Sequence, residues 1–141
     1  SQAPEITTTE DAQSILDPLL RNTYRAFDHR SESDIYDVLE RSIGGELLRE
    51  LYLETIKALT LEGREGTRTQ VTDFEARVDS VAAIPDGDGF TAECEWTVLG
   101  KISHWGHPHT RVNRYTAEVT VTPSDGEWKI DAIDVRDARR L

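Results

Sequence analysis

The apolar residues change period once, near residue 65, and this constrains the fold more than any other feature of the chain. Up to about Leu61 they recur every three or four positions; from about Thr67 they alternate with polar residues by twos. The first spacing keeps side chains on one stripe of an α-helix, the second on one face of a strand. The order this predicts is three helices, then four strands. A sheet with one apolar face must bury it, and the three helices are the only available cover. The expected fold is therefore α+β: three N-terminal helices packed on a curved, four-stranded antiparallel sheet. A length of 141 residues suits one domain with one core. Residues 1–9 are polar and expected to fray, leaving 10–141 as the domain.

Along the first helix the stripe is Ala12, Ile15, Leu16, Leu19, Leu20, Tyr24 and Phe27. Thr7 with Glu10, or Thr8 with Asp11, has the spacing of a helix-capping pair. Pro18 lacks an N–H and predicts a kink or a restart. Ser31 or Ser33 begins the second helix, which turns Ile35, Tyr36, Val38, Leu39 and Ile43 inward and ends at Gly44-Gly45. The third helix, about 46–61, carries Leu47, Leu48, Leu51, Tyr52, Ile56 and Leu59, and Gly63 and Gly66 close it. The strands read 67–84 with a bulge near Asp79 to Val81, then 90–103, 110–122 and 127–136. Pro85-Asp86-Gly87-Asp88-Gly89 and Pro123-Ser124-Asp125-Gly126 are turns. Short connections make successive strands antiparallel neighbours. Phe90, Ala92, Cys94, Trp96 and Val98 face inward. Thr91, Glu93, Glu95 and Thr97 face outward, with Arg114, Thr116, Glu118 and Thr120 beside them.

Charge narrows the partners. The net charge is −11 and both halves of the chain are acidic. Nucleic acid and anionic membrane surfaces are repelled at long range, so neither is an expected partner. No apolar run approaches the ~20 residues of a membrane span. Cys94 is the only cysteine, which excludes an intrachain disulfide; its apolar neighbours suggest a buried, inert thiol. The chain starts at Ser1 and contains no Met. That reads as a piece of a longer protein, with an exported or membrane-attached parent favoured over a cytoplasmic one.

The residues able to carry chemistry are few. His104-Trp105-Gly106-His107-Pro108-His109 places three imidazoles within six positions, and such a cluster can share a metal. The segment joins two strands, where period does not fix direction, and no cysteine or obvious carboxylate accompanies it. No metal or other cofactor is expected. The bland reading is a loop in which Trp105 packs, Gly106 turns and the imidazoles bond to backbone; a third has His104 or His109 lining a pocket. His29 at the end of the first helix suits the helix dipole, while Asp28 opposes it. Asp28 is then a salt-bridge partner, a solvated group, or a buried carboxyl of raised pKa able to act as a base. Tyr24, Tyr36, Tyr52, Trp96 and Tyr115 face inward by period, and their polar tips need partners when buried. The candidate pocket wall is Tyr24, Asp28, Tyr36, Trp96, His104, His109, Arg111, Asn113 and Tyr115. Within it, the candidate catalytic groups are Asp28 or His104 as base and Tyr24 or Tyr115 as donor.

The element order across 10–136, with the Tyr24-Arg25-Ala26-Phe27-Asp28 stretch and Tyr36-Asp37 in the next helix, resembles the nuclear transport factor two-like superfamily of cystatin-like folds. That superfamily includes ketosteroid isomerase and scytalone dehydratase, and the chain reads as a bacterial member. The resemblance implies a cone: a curled sheet whose open side the helices cap, leaving a pocket. Members are isomerases, dehydratases, hydrolases, binding modules and interaction domains, so the fold does not choose an activity, and no catalytic motif carries over. The first expectation is a non-catalytic accessory, interaction or small-ligand-binding domain. The alternatives are a small lyase or isomerase with a base inside the cone, and a metal binder through the 104–109 segment. A small-molecule ligand and a homodimer through the threonine-rich outer sheet face are the expected partners.

Overall fold

The computed structural model describes residues 3–85 and 87–141. Helix α1 (Thr9–Tyr24) runs into a single 3-10 turn (Arg25–Asp28), followed by α2 (Glu32–Glu40) and α3 (Gly45–Glu65). Strands β1 (Thr67–Ala83), β2 (Phe90–His104), β3 (His107–Ser124) and β4 (Glu127–Arg140) follow and pair antiparallel in chain order. The fold predicted from the change of period is the fold observed.

Local chemistry sets the helix ends, with three differences from the sequence reading. Of the two possible caps for α1, Thr8 is used: its Oγ1 accepts the Asp11 N–H at 3.1 Å. Ser31 caps α2 in the same way, through the Asp34 N–H at 3.2 Å. Pro18 neither kinks nor restarts α1, which is continuous. Pro18 and Ser14 both face solvent, so water can satisfy the Ser14 carbonyl that loses its partner. Helix α2 stops at Glu40, short of the glycines, because the next residues pair with β4. The Ile130 N–H donates to Ser42 O at 2.7 Å, and the Gly44 N–H donates to Ile130 O at 2.9 Å. Helix α3 runs through Gly63 to Glu65 and ends on Gly66, whose φ of 69° is the left-handed cap conformation.

Bulges bend the sheet. On β1 the register slips between Val78 and Ser80, as the alternation predicts, and also between Val71 and Asp73, where it gives no sign. The Val78 N–H at the first slip donates to Gln13 Oε1 of α1 at 3.0 Å. Both tight hairpins place positive φ at their two central residues, the signature of a type I′ turn: Asp125 and Gly126 at 51° and 80°, Trp105 and Gly106 at 51° and 79°. The 104–109 segment is thus no loop. His104 pairs with His107, and the strands zip up to a two-residue turn. Trp105 stands where Asn or Asp is usual, which is why the connection reads longer than it is. It is 79% exposed, so it does not pack as the loop reading expected.

Two cores result. Ala12, Leu16 and Leu20 of α1 cover Phe90, Ala92, Cys94 and Trp96 of β2, with Ala117, Val119, Val121 and Ile130 beside them. Ala26, Ile35, Val38 and Leu39 form a second, smaller cluster under α3. Ahead of α1, Ile6 packs on the first core; Ser1 and Gln2, and Asp86 of the first turn, lie outside the described residues. The outer sheet face is ion-paired within the chain. Glu95 meets Arg77 and Arg114, each at 3.2 Å, and Arg136 reaches Glu93 at 3.1 Å and Glu118 at 3.4 Å.

Candidate functional site

Among the described residues the two cores share only Leu48 and Leu51 of α3. Farther along, α3 presents the small side chains of Thr55 and Ala58 to the same space as the sheet residues. A groove of about 480 Å³ remains. Its roof is Leu47, Leu51, Thr55 and Ala58, with Glu50 and Glu54 at the rim. Leu20, Thr23, Tyr24 and Phe27 form one wall, and Trp96, Tyr115, Ile133 and Val135 form the floor. A hollow of about 150 Å³ shares the Tyr24, Phe27 and Tyr115 wall and extends over Val98, Gly100 and Ile102 to Arg111 and Asn113. Gly100 opens it: an inward position of β2 carries no side chain there, and an added Cβ would meet only ordinary van der Waals neighbours.

The aromatic floor is fixed by its own contacts. Trp96 Nε1 donates to Tyr24 Oη at 2.8 Å. The Trp96 and Tyr115 rings stack at 5.6 Å and 30°, and Tyr24 tilts against Phe74 at 5.6 Å. Burial pushes the Tyr24 hydroxyl far above the usual phenol range, only partly offset by the Trp96 hydrogen bond. Tyr24 is therefore a neutral structural partner of the indole.

Of the residues predicted from sequence, Tyr24, Trp96 and Tyr115 line this groove, and Arg111 and Asn113 line the adjoining hollow. Asp28 does not. The chain tightens to a 3-10 turn after Tyr24, and side chains three apart then eclipse. Asp28 falls on the exposed side with Arg25, beside a separate shallow depression against β1. Tyr36 is 39% exposed, because the buried stripe of α2 is Ile35, Val38 and Leu39; its ring lies edge-on to Tyr52, away from the sheet. His104 and His109 line neither cavity, because β2 and β3 carry them past the helices to the hairpin tip. His104 is half-buried with its Nδ1 enclosed and unpartnered, and His107 and His109 are exposed. The register puts all three on one sheet face, yet no three His, Cys, Asp or Glu side chains gather around a point among the described residues.

The sequence reading misses the α3 wall, Gly100, Ile133 and Val135. Two signals are present: Thr55 and Ala58 interrupt the large apolar residues of α3, and Gly100 interrupts the inward set between Val98 and Ile102.

Cys94 is fully buried, and burial pushes its thiol up to about 12, with Glu93 and Asp79 adding to the effect. An exposed thiol releases its proton near 9. Between those values the unfolded chain binds fewer protons than the folded one, so stability falls as pH rises. Tyr24 acts in the same direction from about pH 10 upward. The urea midpoint is expected to be lower at about pH 10.5 than at about pH 8, with a smaller drop in Cys94→Ala. Equal midpoints in the unsubstituted chain would contradict this account.

Helices on one face of a bent, unclosed sheet, with a groove between, define an α+β domain. The crystal structure of the intermembrane space region of chloroplast protein ARC6 is similar, with a TM-score of 0.70 and 23% identity over 94% of this chain and 98% of that one. That likeness shows the fold. A solution structure of a de novo β-sheet design overlaps at a TM-score of 0.31 and 13% identity, covering 94% and 88% of the two chains, too low to bear on the argument. No family model matches the chain, and no curated protein does.

Proposed function

We propose that this chain is a non-catalytic binding domain whose groove between α3 and the sheet takes up a small apolar ligand. The observation that carries the reading is the composition of the groove: aliphatic and aromatic walls, with the carboxylates of Glu50 and Glu54 at the rim. Asp28 and His104, the two candidate bases, stand outside it, and Tyr24 is engaged with Trp96. A volume of about 480 Å³ lies in the range of small-molecule sites. Element order and the curved sheet support kinship with nuclear transport factor two-like binding modules. A place outside the cytoplasm, as a soluble part of an exported or membrane-attached protein, belongs to the same reading. It draws support from the compartment named for the ARC6 region. Among the described residues no helix is long and apolar enough to cross a membrane.

Nile red, a neutral apolar dye that brightens on leaving water, tests the reading. Saturable binding of one dye per chain with blue-shifted emission is expected; a linear, unsaturable signal would contradict it. Self-association through the outer face is part of the proposal. The internal pairing of Glu95 with Arg77 and Arg114, and of Arg136 with Glu93 and Glu118, lowers the charge cost of packing that face on a second copy. Light scattering in moderate salt is expected to give twice 15.9 kDa, and a mass at the monomer value excludes the dimer.

A further inference from the structure

The charges around the groove are not symmetric. Glu50 and Glu54 stand one helical turn apart on α3 and both line the groove. Neither carboxylate has an ion-pair partner within 4.0 Å among the described residues. No Lys, Arg or His lines the same cavity; Arg111 borders only the smaller hollow beyond Tyr24 and Tyr115. Of the surfaces they face, half the lining is aromatic, Tyr24, Phe27, Trp96 and Tyr115, and most of the rest is aliphatic. Aromatic faces attract cations and have no such attraction for anions, and a carboxylate nearby adds to the preference.

We infer that the groove selects an organic cation with an apolar body: an ammonium head held between the Glu50 and Glu54 carboxylates and the aromatic floor, and a hydrocarbon tail running toward the Gly100 hollow. The inference rests on the groove being a ligand site, and it names the chemical class of that ligand. An anionic amphiphile of the same length would place its head against two unpaired carboxylates. A neutral one would leave those carboxylates unused.

The test compares decyltrimethylammonium with decanesulfonate, both below their micelle concentrations, by calorimetry on the intact chain. Nile red binding is measured in parallel. Decyltrimethylammonium is expected to bind one per chain and roughly tenfold more tightly than decanesulfonate, about 1.4 kcal/mol. Glu50→Gln with Glu54→Gln is expected to remove most of that preference. Glu62→Gln with Glu65→Gln removes the same amount of negative charge, from positions on α3 outside the groove lining, and is expected to keep it. Equal binding of the two amphiphiles overturns the cation inference. So does a preference lost equally in both double variants, which would assign it to overall charge. Those outcomes leave Nile red binding, and the groove reading, standing. If neither amphiphile nor Nile red binds saturably, the groove reading itself has failed.

Discussion

Trp96→Ala is expected to destabilise the chain by about 3–5 kcal/mol, the usual cost of removing a buried large aromatic ring. For a domain of this length that lowers the melting temperature by roughly 10–15 °C. The effect is large because packing, stacking and a hydrogen bond all depend on one side chain. The ring is 4% exposed and packs in the main core. It stacks on Tyr115. Its Nε1–H is the donor to the buried Tyr24 hydroxyl, and without it that oxygen keeps its desolvation cost and loses its partner. Trp96→Phe separates the terms: the ring and most of the stacking remain, the donor goes, and an intermediate loss of about 1–2 kcal/mol is expected. An unchanged melting temperature for Trp96→Ala would mean that the inward face of β2 is assigned to the wrong side.

Ala58→Trp is expected to do the converse: leave the fold standing and close the site. Ala58 is partly exposed and roofs the groove, and it belongs to neither buried cluster. An indole there can enter the groove without displacing a core side chain. Alanine is the best helix former, so the exchange costs only a few tenths of a kcal/mol in propensity. Urea midpoints are expected to stay close to those of the unsubstituted chain, while Nile red binding weakens at least about tenfold. Undiminished binding by a folded Ala58→Trp would place the dye elsewhere.

The fold is legible in the sequence because hydrophobic period reports which side of an element is inward, and every element here has one inward side. Ala12, Leu16 and Leu20, and the even positions of β2 from Phe90 to Val98, are buried as their spacing requires. Period does not report how far apart two inward faces stand. The groove lies where α3 presents Thr55 and Ala58 to the sheet side, while its large residues Ile56 and Leu59 pack on the second cluster. For that reason apolarity alone does not reveal its roof, although it does reveal Tyr24, Trp96 and Tyr115, and strand alternation adds Arg111 and Asn113. Asp28 misleads because a helical period of 3.6 does not carry through a turn that has a period of three. The histidine segment misleads because a type I′ turn with Trp at its first central position departs from the Asn-Gly or Asp-Gly pattern. The Asp125-Gly126 hairpin follows that pattern and reads as a turn at once.

The central claim is that the space between α3 and the sheet is a ligand site. It is tested most directly by nuclear Overhauser contacts between bound Nile red and the protein. The account predicts contacts from the dye to the Tyr115 and Trp96 rings and to the Ala58 and Val135 methyl groups. Contacts confined to Trp105 and the histidines of the β2–β3 hairpin tip, with none to Tyr115 or Ala58, would contradict it.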